Sequence, residues 1–170
     1  IQATLAFVAA TPALGALGYP IAHLGVFVFF LVMMQASHYF ITAFAKGRLG
    51  PKWYSWMLDN QLHHIAASAY SWGWARFIPE KWYARFVALL KPMNRPFQIG
   101  AYALEALVPF ALLDWRVALF FLFGLSVFHV VVFLTSGIFF WEWAVANVLI
   151  ALLILGLPEA ALAMAFGWHA

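Results

Sequence analysis

Three ionisable side chains lie inside stretches built otherwise from Phe, Leu, Val and Ala: His38, Glu105 and His129. Such a group is costly in hydrocarbon and by default marks a functional site. A fourth, Lys46, closes the first of these stretches, in HYFITAFAKGRLGPKW. A carboxylate near two imidazoles can pass a proton, hold the head of a quinone or take part in metal binding, and two histidines on facing helices can ligate a haem. The plainer reading is a Glu105–histidine hydrogen bond that ties helices together. Lys46 also has two readings. It can snorkel to the headgroups while complementing a helix C-terminus, or, partly buried, serve as a base.

The elements that position these groups belong to a membrane protein. Hydrophobic residues make up 66% of the 170-residue chain and charged residues 9%, against roughly a quarter charged in soluble domains. No cysteine is present, so disulfides, thiolate nucleophiles and Cys-ligated metals are excluded. The chain starts at Ile1, not Met, which suggests a start that is missing or processed. No signal peptide is read.

Residues 1–18 are apolar but interrupted by Pro12, a partial span. Residues 21–45, 96–113, 117–135 and 138–157 each approach the about 20 apolar residues that a span needs. Asp114-Trp115-Arg116 and Ser136-Gly137 supply the turns, and Pro158 ends the last span. Residues 46–94 differ. Eight of the nine Lys and Arg lie between 46 and 95, interleaved with Trp53, Trp56, Trp72, Trp74 and Trp82. That pattern reads as helices lying in the membrane plane, at about 51–69 and 79–90, broken around Gly73. Asp59 and His63, four apart, are expected to touch, and Glu142 between two tryptophans is read as a headgroup-level anchor. The charge bias places 46–95 in the cytoplasm.

At about 1.5 Å rise per residue, His38, His129 and Glu105 lie roughly 10–12, 9–10 and 14–15 Å from the basic-side ends of their spans. They share a layer. Pro109 lacks an N–H and clashes with the carbonyl of Glu105, so a kink is expected beside the buried carboxylate.

The succession of features resembles a known family. A lysine ends an aromatic span in HYFITAFAKGRLGPKW; an interfacial segment follows; then come ALEALVPFALL, a span carrying Phe128-His129, and a turn into GIFFWEW. This order, over roughly residues 35–157, resembles the membrane domain of vitamin K-dependent gamma-carboxylases and their bacterial relatives, the HTTM proteins. The resemblance implies oxygenation of a reduced quinone to a strong base. That base takes a proton from a substrate glutamate, whose carbanion then captures carbon dioxide. It implies that Lys46 is the base that activates the hydroquinone and that His129 matches a histidine of the family.

The expectation is thus an all-α polytopic transmembrane bundle, of four or five spans with in-plane amphipathic helices, in a bacterial inner membrane. Lys46 and His129 are the catalytic candidates, and His38 and Glu105 the cofactor-binding ones; no metal site is expected. The cofactor is a reduced quinone, with haem or pigment the lesser alternatives. The partners are the lipid bilayer and other membrane subunits, not nucleic acid. The alternative function is that of a non-catalytic small subunit of a larger membrane complex.

Overall fold

A computed structural model describes residues 16, 18, 21–138 and 140–167, and these contain helices and no strand. The expected partial span at 1–18 and His169 lie outside the described residues. Seven α-helices follow in order: α1 (Ile21–Gly47), α2 (Ser55–Asp59), α3 (Leu62–Ser71), α4 (Glu80–Leu107), α5 (Trp115–Ser136), α6 (Trp141–Gly156) and α7 (Glu159–Phe166). A 3₁₀ turn, Val108–Leu112, joins α4 to α5.

Two helices are long and apolar enough to cross a membrane, His23–Gly47 within α1 and all of α5; a third crossing is possible if α6 and α7 form one broken span. Both long helices were readable because each is a near-unbroken apolar run. The N-cap Asp114 of α5 accepts a hydrogen bond from the Arg116 N–H, at 2.6 Å, which satisfies one of the donors left open at a helix start. Its far end stops at Gly137, in the left-handed conformation (φ 71°) that glycine adopts without penalty. The Trp74 ring covers this turn; a Cβ on Gly137 would lie 2.6 Å from it.

Two expected spans take another form. The stretch 96–113 is no separate helix. Its first part continues α4, which runs unbroken from the basic segment through Pro92 and Pro96, and its second part is the 3₁₀ turn. The two prolines stand one helical turn apart, so the lost hydrogen bonds fall on one face of α4. The stretch 138–157 forms α6, whose 16 residues span about 24 Å, short of the roughly 30 Å hydrocarbon core. At Leu157 and Pro158 the chain turns by 116°. Helix α7 then folds back onto α1, where Phe29 and Phe166 meet edge to face and Gly25 lets the Ala161 carbonyl approach.

The first expected basic-segment helix is also split. A break at Asn60 and Gln61 separates α2 from α3. Asp59 and His63 therefore no longer share one helical register; His63 instead packs on His64. Asn94 of α4 bridges the break, with its side-chain oxygen accepting from the Leu62 N–H and its amide donating to the Asn60 carbonyl at 3.3 Å. The turn around Gly73 is found as expected, with Gly73 at φ 107°.

Val28, Leu31 and Val32 of α1 pack with Leu122 and Leu125 of α5, Ile150 and Ile154 of α6 and Leu162 of α7. Phe120, Phe123 and Leu155 are more than 60% exposed. Apolar groups this large on the outer face are what lipid solvates and water does not.

Candidate functional site

The basic-side ends of α1, α4 and α5, roofed by α2 and α3, enclose a cavity of about 600 Å³, within the range of small-molecule sites. Lys46, Glu105, His38 and His129 all line it, among Leu62, Leu104 and Phe128 and other apolar groups. The four candidate residues come from three helices and meet at one site.

Their pairings differ from the sequence expectation. Glu105 does not bond a histidine. Its two carboxylate oxygens accept from Lys46 Nζ at 2.7 and 2.5 Å. The Lys46 side chain is only 16% exposed and that of Glu105 3%, so Lys46 is no snorkelling lysine. The reason is register. Lys46 sits one turn past Thr42 on the cavity-lining side of α1, and the carboxylate opposite gives its charge a partner that lipid cannot. The indole of Trp56 covers the ammonium, 4.5 Å from the ring centre, a cation–π contact that strengthens where water is scarce. The expected distortion at Pro109 is present. α4 ends at Leu107, and the backbone tightens into the 3₁₀ turn two residues past Glu105.

His129 bonds Tyr39 instead of the carboxylate. A buried polar chain runs across three helices: Gln35 Nε2 donates to Asn147 Oδ1 at 2.6 Å, Asn147 Nδ2 donates to Tyr39 Oη at 3.0 Å, and Tyr39 Oη meets His129 Nε2 at 2.6 Å. Because Tyr39 already accepts from Asn147, its hydroxyl hydrogen is free for His129 Nε2. That leaves the ring proton on Nδ1, a buried atom without a hydrogen-bond partner. Sequence reading missed Gln35, Tyr39 and Asn147 because they do not ionise in the ordinary range. The available signals were the Gln35–Tyr39 spacing, which puts both on one face of α1, and a single amide within the apolar run of α6.

His38, exposed on the outer side of α1, lies flat against Trp143, ring centres 3.7 Å apart and planes at 11°. A haem needs two imidazoles facing one another with coordinating nitrogens free. Here His129 Nε2 is engaged by Tyr39 and the His38 ring is stacked on an indole, so the geometry does not fit a bis-histidine haem. A quinone-sized ring fits better. The cavity has apolar walls, and its polar groups gather where Lys46, Glu105 and His129 converge.

Outside the long helices, burial lowers the pKa of His63 below the usual imidazole range, with His64 and Lys91 adding to the effect. Burial raises that of Tyr83, whose hydroxyl donates to the Ala66 carbonyl at 3.0 Å and holds α3 on α4. Glu142 is exposed, consistent with a surface anchor.

Compared with known proteins, the chain matches no family model, no curated protein and no solved structure.

Proposed function

We propose that the chain is a membrane protein that binds a lipophilic molecule with an oxygen-bearing polar head, of the quinone and hydroquinone class, between Lys46, Glu105 and His129. One observation carries this reading: the mostly apolar cavity of about 600 Å³ holds its ion pair and its buried histidine together on the wall. An apolar pocket with a few convergent polar groups is the ordinary form of a small-molecule site. When bound, a hydroquinone supplies reducing electrons and an acidic hydroxyl. Lys46 offers an ammonium donor to the head oxygen. Glu105 holds that ammonium charged and can take its proton, so the pair can exchange a proton without building net charge in the cavity. His129 presents a neutral imidazole fixed by Tyr39.

The gamma-carboxylase-like activity implied by the order of features along the chain is the enzymatic form of this proposal. In it Lys46 acts as a base only after its proton has moved to Glu105, since a lysine held by both carboxylate oxygens is a poor base. The charge bias of 46–95 supports an orientation with the cavity at the cytoplasmic side of a bacterial inner membrane and α2, α3 and the first turns of α4 along its surface. The alternative, a non-catalytic subunit of a larger membrane complex, predicts no polar cavity between the helices, and the cavity weighs against it.

The test is equilibrium binding of a reduced and an oxidised naphthoquinone to the purified protein in lipid nanodiscs, read by quenching of Trp56 fluorescence in a variant whose other tryptophans near the cavity are replaced by Phe. Saturable quenching that is lost in Lys46→Met supports the proposal; quenching that grows linearly with quinone, as simple partitioning gives, sinks it.

A further inference from the structure

α4 and α5 run antiparallel and meet most closely where Leu104 covers Gly124; a Cβ on Gly124 would lie 3.1 Å from the Leu104 side chain. From that crossing towards the basic end they part. Along α4 the next residues on the cavity side are Ala101, Gly100 and Phe97, and along α5 they are Val127, Phe128 and Val131. Gly100 has nothing within 4 Å of where its Cβ would be, although it lines the cavity. Phe97 and Val127, which also line it, are 38% and 46% exposed. A residue that both lines a cavity and is open to the outside marks a mouth. This mouth is the widening V between α4 and α5, with its apex at Leu104–Gly124. Its rim is Phe97, Gly100 and Val127, and the rim carries no charge.

We infer that the V between α4 and α5 is a lateral portal through which the ligand comes from the lipid phase, and that the ligand carries an acyl or prenyl tail left lying across Gly100 with its head at Lys46 and Glu105. The inference rests on the reading of the cavity as a lipophile site and deepens it by naming the ligand's shape and source. α5 is one of the two helices apolar enough to cross the bilayer, so a gap along its flank opens to hydrocarbon, not to water. A rim of Phe, Gly and Val costs an apolar tail nothing to cross, whereas a charged, tail-less molecule gains nothing there. The opposite end of the cavity is closed to such a tail: Trp56 lies over the ammonium, and α2 and α3 are clipped together by Asn94. Gly100 sets the width of the portal. It lies mid-helix, where glycine is otherwise unfavourable relative to alanine by about 0.5–1 kcal/mol, and no neighbouring side chain requires its lack of a Cβ.

The experiment uses the full chain in lipid nanodiscs and two probes sharing one ring: a naphthoquinone with a long prenyl tail and the same ring without a tail. Gly100→Trp and, from the facing helix, Val127→Trp fill the mouth. Because Gly100 faces open space, both variants are expected to keep the wild-type melting temperature, and the conclusion rests on whichever of them does. The expected result is a loss of on the order of tenfold or more in association rate and affinity for the tailed probe, with the tail-less probe within about twofold of wild type. Unchanged binding of the tailed probe by a folded variant overturns the portal, as does equal loss of both probes. If wild type binds neither probe, the lipophile site itself fails; if it binds both and the variants change nothing, the site stands and only the portal is lost.

Discussion

Lys46, at the end of α1, donates to both carboxylate oxygens of Glu105, fifty-nine residues away on α4, and both side chains are largely withdrawn from solvent. Two charges removed from water tolerate each other's presence better than either tolerates the other's absence, so the pair must be tested by removing one partner and then both.

Lys46→Met alone is expected to destabilise the folded chain by about 3–5 kcal/mol, because Glu105 is left buried and uncompensated. Lys46→Met combined with Glu105→Leu is expected to regain most of that loss. The Arg116–Glu159 pair, with both side chains more than 60% exposed, serves as the contrast: Arg116→Ala is expected to cost less than about 1 kcal/mol. Denaturation in mixed micelles measures all three. Equal costs for the two pairs would show that the inner pair is solvated.

The Gln35–Asn147–Tyr39–His129 chain holds three helices in one rotational setting. Asn147→Leu leaves the Gln35 amide and the Tyr39 hydroxyl with one partner fewer, at an expected cost of about 1–2 kcal/mol, the usual scale for interhelical hydrogen bonds in membranes. Tyr39→Phe and His129→Leu remove the two ends of one bond, so their costs are expected not to add. A double-mutant cycle with strict additivity would contradict the bond.

Two glycines separate packing from propensity. A Cβ at Gly25 would lie 2.4 Å from the Ala161 carbonyl oxygen, backbone that cannot step aside. Gly25→Val is therefore expected to unseat α7 and make the Pro158 region open to protease. Gly156, with nothing within 4 Å, is expected to accept alanine with no loss and a gain of up to about 1 kcal/mol from helix propensity.

His63 supplies a pH dependence outside the long helices. Its folded pKa is lowered, first by burial and then by His64 and Lys91, so in the imidazole range the unfolded chain binds the proton more readily. Stability rises with pH wherever the unfolded state holds more protons. The His63 contribution is thus present above the ordinary imidazole pKa. It is lost as pH falls below that value, until His63 itself protonates in the folded chain. His63→Gln is expected to flatten this part of the stability–pH curve; an unchanged slope assigns it to other groups.

The sequence made α1, α5 and their turns legible because continuous apolar runs, an Asp N-cap and a Gly C-terminus act locally. It also marked Lys46, Glu105, His38 and His129, since ionisable groups in apolar runs are conspicuous wherever they pack. Their pairing was not legible. Whether Glu105 meets a lysine or a histidine depends on how α1 and α4 are rotated, which hydropathy does not encode. Pro92 and Pro96 suggested a boundary inside what is one helix, because a proline pair on one face bends α4 without ending it. The fold-back of α7 was hidden for the opposite reason: Pro158 ends α6 as expected, but the contact that returns the chain, Gly25 against Ala161, joins residues more than a hundred positions apart.

The account turns on whether the cavity holds a lipophile at the Lys46–Glu105 pair. The direct measurement is binding of a prenylated naphthoquinone to the wild-type chain and to the Lys46→Met, Glu105→Leu double variant in lipid nanodiscs, both checked for equal melting temperature. The predicted result is saturable binding by wild type and a loss on the order of tenfold or more in the double variant, the scale of one or two charge-assisted hydrogen bonds. Equal affinity in the two proteins, or no saturable binding by wild type, would contradict it.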